Sequence, residues 1–276
     1  MKNALMITLV IAAVIGCQRV PLSGRSQLLL IPNAQLLPLS FTSYRGVIDT
    51  SRVLRSGNDA EMVQRVGSRL KDAMETYLRA NNFASRTEGF QWEFNLIQSP
   101  QVNAWCMPGG KVAFYTGILP YTQNEAGIAT VMGHEISHAL ASHGNERMSE
   151  GLLANGLIQG GQIALGAIAQ SRPQQTNALL LQAAGVVLPV AYQVGRALPH
   201  NRKQELEADK LGLIFMAMAG YNPNEAVGFW TRMAKAGGGK KPPEFLSTHP
   251  SDSRRIRDIQ SQLPEALTYY NQAARR

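Results

Sequence analysis

The chain has 276 residues, 45% of them hydrophobic and 17% charged, with a formal net charge of +8. That length supports one large domain with a real core, and the balance of residues excludes disorder over most of it. The basic excess is scattered, from Arg52 and Arg55 to Arg275 and Arg276, without a long block of like charges or interleaved aromatics. This excludes a concentrated nucleic-acid footprint and reads as a solvated surface that tolerates anionic lipid headgroups.

Met1-Lys2-Asn3 is a short basic start, and Ala4 to Gly16 is almost wholly apolar. The stretch is shorter than the ~20 residues of a helical membrane span and fits the core of a secretory signal peptide, residues 1–16. It ends in Val14-Ile15-Gly16-Cys17, which resembles a bacterial lipobox. The resemblance implies cleavage before Cys17 and attachment to a membrane through lipid on Cys17. Gln18, where an Asp would favour inner-membrane retention, points by analogy with Gram-negative lipoproteins to the periplasmic face of the outer membrane. A plain signal peptide with an incidental cysteine is the alternative. Cys106, the other of the two cysteines, is then unpaired and expected to be a small buried hydrophobe.

Residues 17–57 read as a lipid-anchored tether and lead-in segment. They carry Pro21, Pro32 and Pro38 and show no sustained helical period, with short extended pieces expected at Leu28 to Ile31 and Phe41 to Tyr44. From Asn58 to Asn81, Val63, Val66, Leu70, Met74, Tyr77 and Leu78 follow the helical period. Phe90 to Leu96 alternates as a half-buried strand, and Val102 to Met107 and Lys111 to Thr116 are strand candidates around the turn Pro108-Gly109-Gly110. Thr122 with Glu125 has the spacing of a capping box, predicting a helix from there to about Gly144. Residues 151–198 are apolar and Gly-rich, broken at Ser171-Arg172-Pro173, and read as two buried or groove-lining helices rather than membrane spans. Helices are predicted over 202–219, 223–236 and 251–273, with a loop at 237–243.

The chemistry concentrates in His134-Glu135-Ile136-Ser137-His138. Residues i and i+4 stack on one helix face, so both imidazoles can converge on one ion. Glu135, beside the first ligand, is placed to take a proton from water held there. The apolar neighbours Ile128, Val131, Ile136 and Leu140 argue against unpaired histidines, which would be costly to bury among them. A catalytic zinc needs a third protein ligand. In Arg202 to Asp209, Glu205 and Asp209 share a helix face while Glu207 points elsewhere. Glu205 can bind the metal, and Asp209 can hold the far nitrogen of a ligating His. The alternative is a charged helix exterior.

These pieces occur in a familiar order: Asn103-Ala104-Trp105 with Pro108-Gly109-Gly110, Thr116 to Leu119, Met132 to Ala139, Arg202 to Asp209, and Ser247-Thr248-His249-Pro250 followed by Arg255. Together they resemble the zinc metallopeptidases grouped with HtpX and the CAAX prenyl proteases, nearest to lipoprotein members such as LoiP and to the peptidase domain of BepA. The resemblance implies an α+β, mainly α fold: a zincin (gluzincin-type) core with a small β-sheet beside the HExxH helix, forming a zinc metallopeptidase domain over 58–276. It implies one Zn2+ per chain on His134, His138 and Glu205, with Glu135 as general base. It implies an edge strand at Asn103, Ala104 and Trp105 to which extended substrate adds. His249 resembles a histidine that approaches the metal, either restraining activity or stabilising the oxyanion; a capping or core role is its alternative. Arg255 is expected to be an electrostatic partner near the site. The sequence departs from the pattern at Asn201, usually Ser, and at Trp105-Cys106, usually a Phe-Ala type pair; neither removes a ligand. Without tetratricopeptide-like repeats or clear membrane helices, the resemblance covers neither BepA's second half nor HtpX's architecture. The implied function is an endopeptidase for misfolded or misassembled envelope proteins. A non-catalytic lipoprotein holding extended chains, or a self-restrained peptidase, are the competing readings.

Overall fold

A helix whose apolar side chains recur at Val63, Val66, Leu70, Met74 and Leu78 has one stripe to bury, and a strand alternating over 93–97 has two faces to cover. The computed structural model describes residues 17–153, 202–238, 243–250 and 253–275, and joins these two elements in one core. The signal-peptide stretch 1–16, nearly all of the 151–198 segment and residues 239–242 of the expected loop lie outside the described residues.

The elements in chain order are β1 (Cys17–Arg19), β2 (Ser26–Leu28), α1 (Asn33–Asp49), β3 (Val53–Leu54), α2 (Asn58–Ala80), β4 (Glu93–Ile97), β5 (Ala104–Met107) and β6 (Lys111–Tyr115). The short α3 (Leu119–Thr122) leads into α4 (Glu125–Leu140). Residues 143–153 are helical and form α5 as far as the description runs. Then come α6 (Arg202–Met218), α7 (Glu225–Gly237), α8 (Phe245–Thr248) and α9 (Ser253–Ala273). The fold is mainly α with small sheets, as expected. None of the described helices is long and apolar enough to cross a membrane.

The four-stranded sheet runs β3-β4-β6-β5, with β4 and β6 parallel and β5 antiparallel to β6. Strand pleating sends Ala104, Cys106, Val112 and Phe114 to the side where α2 and α4 pack, and Trp105, Met107, Ala113 and Tyr115 to the other. That second face is covered by Tyr44 and Val47 of α1, whose Tyr44 ring meets Trp105 edge-on at 5.7 Å. Gly109 and Gly110, at φ 88° and 81°, make the β5–β6 turn in a region closed to most side chains. A side chain there would strike Phe41 and Trp92.

Three expectations are corrected. Residues 33–49, read as non-helical, form α1, so Phe41 to Tyr44 is helix rather than extended. Its buried stripe is Leu36, Leu37, Ser40, Tyr44 and Val47. The polar Ser40, which donates to the carbonyl of Pro108 at 2.6 Å, and the internal Pro38 mask the helical period. The α4 cap is Asn124, which accepts from the Gly127 amide at 2.9 Å, rather than Thr122, which closes α3. Helix α4 stops at Leu140 instead of Gly144, and Ser142 follows at φ 53°, redirecting the chain into α5.

Candidate metal centre

Helix α4 is buried at every position from Gly127 to Leu140, because the sheet lies on one side and α2, α6 and α7 surround the rest. It crosses α6 at two glycines: a Cβ on Gly212 would lie 2.8 Å from the amide nitrogen of His134. With no side chains between them, the backbones touch and set His134 and His138 opposite Glu205. Helix α6 is not the charged exterior that its sequence permits; Glu205, Glu207 and Asp209 are all buried.

Four side chains bring one donor each within 4.8 Å of the others: His134, His138, Glu205 and His249. The Nε2 atoms of His134 and His138 are 3.0 Å apart. Glu205 oxygens lie 3.5 Å from the first and 3.3 Å from the second. His249 Nδ1 is 3.1 Å from His134 Nε2 and 3.1 Å from Glu205 Oε2. Such a buried set of imidazoles and a carboxylate suits a cation, which would offset the cost of desolvating them. Burial opposes ionisation of Glu205, yet the neighbouring His249 and Arg255 hold its carboxyl well below the usual range.

Behind the donors, His134 Nδ1 lies 2.9 Å from Asp209 Oδ1, the contact expected of Asp209. Burial lowers the basicity of His134, but Asp209 and Glu205 outweigh it and push its pKa up to about 9. Arg255 grips Asp209 with Nε and Nη2, each at 2.8 Å, reaches Glu205 at 3.0 Å and stacks 3.5 Å over the Trp230 ring. It therefore holds the two carboxylates from behind. Glu135 is buried, which pushes its carboxyl up; Oε1 makes no hydrogen bond and lies 3.3 Å from His249 Nε2. A cavity opens beside Glu135 and His138, walled by Leu36, Leu37, Phe90 and Cys106.

Among the described residues β5 has one strand neighbour, β6, and it runs alongside α4. Ala104 faces α4, and its amide donates to the side-chain oxygen of Asn103 at 2.9 Å. The Trp105 ring is turned to the opposite face, with Nε1 donating to the Tyr115 hydroxyl at 3.3 Å, so only its backbone belongs to the groove side. Cys106 is a buried free thiol, its pKa raised by burial. Cys17 begins β1, away from these residues in sequence and paired with Leu28.

Sequence reasoning missed a second set. The turn at Ser142 returns His143 to His138, with their Nδ1 atoms 2.8 Å apart. His143 Nε2 is 2.8 Å from Glu207, which Arg25 and Ser23 hold from the β1–β2 turn. The five-residue step from His138 to His143 does not share a helix face, so helical periodicity gives no sign of it. The scarcity of histidines, five in the chain, was the available signal.

Two histidines and a glutamate on one buried helix, met by a carboxylate from a second helix beside a small sheet, define a zincin-like metallopeptidase. Residues 64–263 match the model of Peptidase family M48, and the chain belongs to that family. It is 34% identical over 217 residues to the mitochondrial metalloendopeptidase OMA1 of Arabidopsis thaliana, covering 78% of this chain and 39% of that protein. It is 30% identical over 251 residues to human mitochondrial metalloendopeptidase OMA1, covering 90% of this chain and 46% of that one. A putative beta-barrel assembly-enhancing protease of Vibrio cholerae is 31% identical over 169 residues, 60% of this chain and 33% of its own length. The chain thus spans half or less of the length of these relatives.

Proposed function

We propose that this chain is a zinc endopeptidase of the bacterial envelope, held by lipid on Cys17 at the periplasmic face of the outer membrane, that cleaves misfolded or misassembled envelope proteins. The observation that carries the chemistry is the convergence of His134, His138 and Glu205 beside an unbonded oxygen of the buried Glu135. A four-coordinate zinc with bonds of about 2.0–2.1 Å sets its donors about 3.3–3.4 Å apart. The observed separations of 3.0 to 3.5 Å match it. The three residues would hold the ion and leave its fourth position to water, and Asp209 and Arg255 would fix the orientation of His134 and Glu205. When bound, the ion would polarise the scissile carbonyl and lower the pKa of water. Glu135 would accept the proton of the attacking water and deliver it to the leaving amine. The edge position of β5, where the Asn103 side chain meets the Ala104 amide, supports alignment of an extended, unfolded substrate by backbone hydrogen bonds once that side chain gives way. The cavity beside Glu135, walled in part by Leu36, Leu37 and Phe90, supports room for a side chain of such a substrate.

The envelope assignment rests on the Val14-Ile15-Gly16-Cys17 pattern and on similarity to proteins named beta-barrel assembly-enhancing protease. The mitochondrial relatives share the peptidase part, so the specific resemblance to LoiP rests on the lipobox alone. The position of His249 favours a restrained form as a second reading: its ring stands in the donor set and against Glu135, where water and substrate must enter.

The test is the full chain beside its Glu135→Gln variant, assayed for bound zinc and for cleavage of casein with and without chelator. The proposal expects about one zinc in each and chelator-sensitive cleavage by the unaltered chain only. A folded chain that binds no zinc overturns the enzyme reading in favour of a binding lipoprotein.

A further inference from the structure

Each of the two histidines of α4 is backed in depth. His134 meets Asp209, which meets Arg255. His138 meets His143, which meets Glu207, which meets Arg25. The first chain ends on α9, near the carboxyl terminus. The second ends on the β1–β2 turn, 182 residues before Glu207. On the reading that His138 binds metal through Nε2, we infer that His143, Glu207 and Arg25 are positioning residues for that ligand. The amino-terminal strand pair is thereby a structural part of the metal centre.

The hydrogen-bond order leaves one arrangement. With Nε2 given to the metal, His138 carries its proton on Nδ1, which faces His143 Nδ1 at 2.8 Å. That nitrogen must accept, so His143 carries its own proton on Nε2, which donates to Glu207 Oε2 at 2.8 Å. A carboxylate at the end thus fixes both rings in one tautomer and one orientation. The carboxylate is itself buried and needs compensation. Arg25 supplies it, with Nε 2.9 Å and Nη2 2.8 Å from Glu207 Oε2, and Ser23 donates to Oε1. Arg25 is in turn anchored by both oxygens of Glu146, at 2.5 and 2.8 Å, and Gln204 donates to the same Glu146 at 2.8 Å. His143 is fully buried, so bulk water does not reach it in place of Glu207.

The experiment measures the zinc dissociation constant of the full chain by competition with a chromophoric chelator, and the absorption bands of the Co2+-loaded form. Four variants are compared with the unaltered chain: Glu207→Gln, Arg25→Ala, Arg25→Lys and Arg86→Ala. The last trims contacts to β1, because Arg86 holds Gln18 and the carbonyl of Arg19, and leaves the hydrogen bonds of Ser23 and Arg25 in place. Loss of an outer partner costs about 10–100-fold in metal affinity. Glu207→Gln is expected to weaken zinc binding about tenfold or more and to shift the Co2+ bands. Arg25→Ala should weaken it severalfold, Arg25→Lys should recover part of the loss, and Arg86→Ala should bind as the unaltered chain does. A folded Glu207→Gln variant with unchanged zinc affinity and unchanged Co2+ bands overturns the inference. If that variant does not fold, equal affinity of Arg25→Ala and the unaltered chain overturns it. An unaltered chain that binds zinc without cleaving casein sinks the unrestrained peptidase reading and leaves this one intact; one that binds no zinc sinks both.

Discussion

Substituting Gly212→Ala adds one methyl group at the place where α4 and α6 touch. That methyl would lie 2.8 Å from the His134 amide nitrogen, 2.9 Å from the Gly133 carbonyl carbon and 3.1 Å from the His134 Cα. Ordinary contact begins near 3.4 Å, so the helices must separate by roughly 0.6 Å. The obstructing atoms are backbone in a fully buried helix and cannot swing aside as a side-chain tip does. Overpacking of this kind costs about 1–3 kcal/mol, against roughly 1 kcal/mol gained from replacing glycine by alanine in a helix. Taking the upper end, because backbone resists, the net loss is about 2 kcal/mol. The effect on the site should be larger in proportion. Glu205 rides on α6 and the two histidines on α4, and a metal tolerates only about 0.2 Å of error in its ligand distances. Urea unfolding with zinc present and a chelator competition measure the two effects. Gly46→Ala is the matched control: on α1 a Cβ meets nothing within 4 Å, and the gain should be about 0.5–1 kcal/mol. A Gly212→Ala chain as stable as Gly46→Ala, with undiminished zinc affinity, would refute the account of how the helices set the site.

Asp209→Asn should lower zinc affinity about 10–100-fold, measured by chelator competition, because the amide can present its donor to His134 Nδ1 and loses its charge toward Arg255. His249→Ala should speed casein cleavage, by roughly tenfold if the closed arrangement holds nine chains in ten; slower cleavage would assign His249 to the reaction instead. The Glu146 carboxyl is held below its usual value: burial opposes this, but the donors of Arg25 and Gln204 prevail. Its stabilisation is therefore complete above the unfolded pKa of about 4.3 and is lost as pH falls from there through the lower folded value. Glu146→Gln should destabilise the chain by about 1–2 kcal/mol at pH 7 in urea unfolding, and that gap should close in acid. A gap that widens toward acid would contradict the pairing.

Three of the four donors were legible because their spacing carries its own geometry, whereas His249 was reached only through a resemblance. His134 and His138 share a helix face, and so do Glu205 and Asp209, whatever the rest of the chain does. The stripe on α2 and the β5–β6 hairpin were legible for the same reason: the period or the turn residues lie in contiguous sequence. Helix α1 was not, since Pro38 and the buried Ser40 interrupt a pattern that only the sheet above it makes coherent. Thr122 has the spacing of a capping residue, but the Gly127 amide is answered by Asn124. Glu207 was read as pointing away from the metal, which is true of Glu207 itself, yet its partner His143 leads back to His138. No local rule joins Arg25 to Glu207, because that contact exists only once both ends of the chain are folded.

The same long separations govern when the centre can come into being. Its donors are drawn from His134 to His249, and the arginine behind Glu205 is Arg255. A ribosome delivers residues in order, so a partly made chain holds the helix with its two histidines long before the carboxylate and arginine that complete the set. Metal capture is thus among the last acts of folding, and, on the proposed function, the chain gains the means to cut only after its β5 strand has been made. On that reading, order of synthesis would itself be a safeguard.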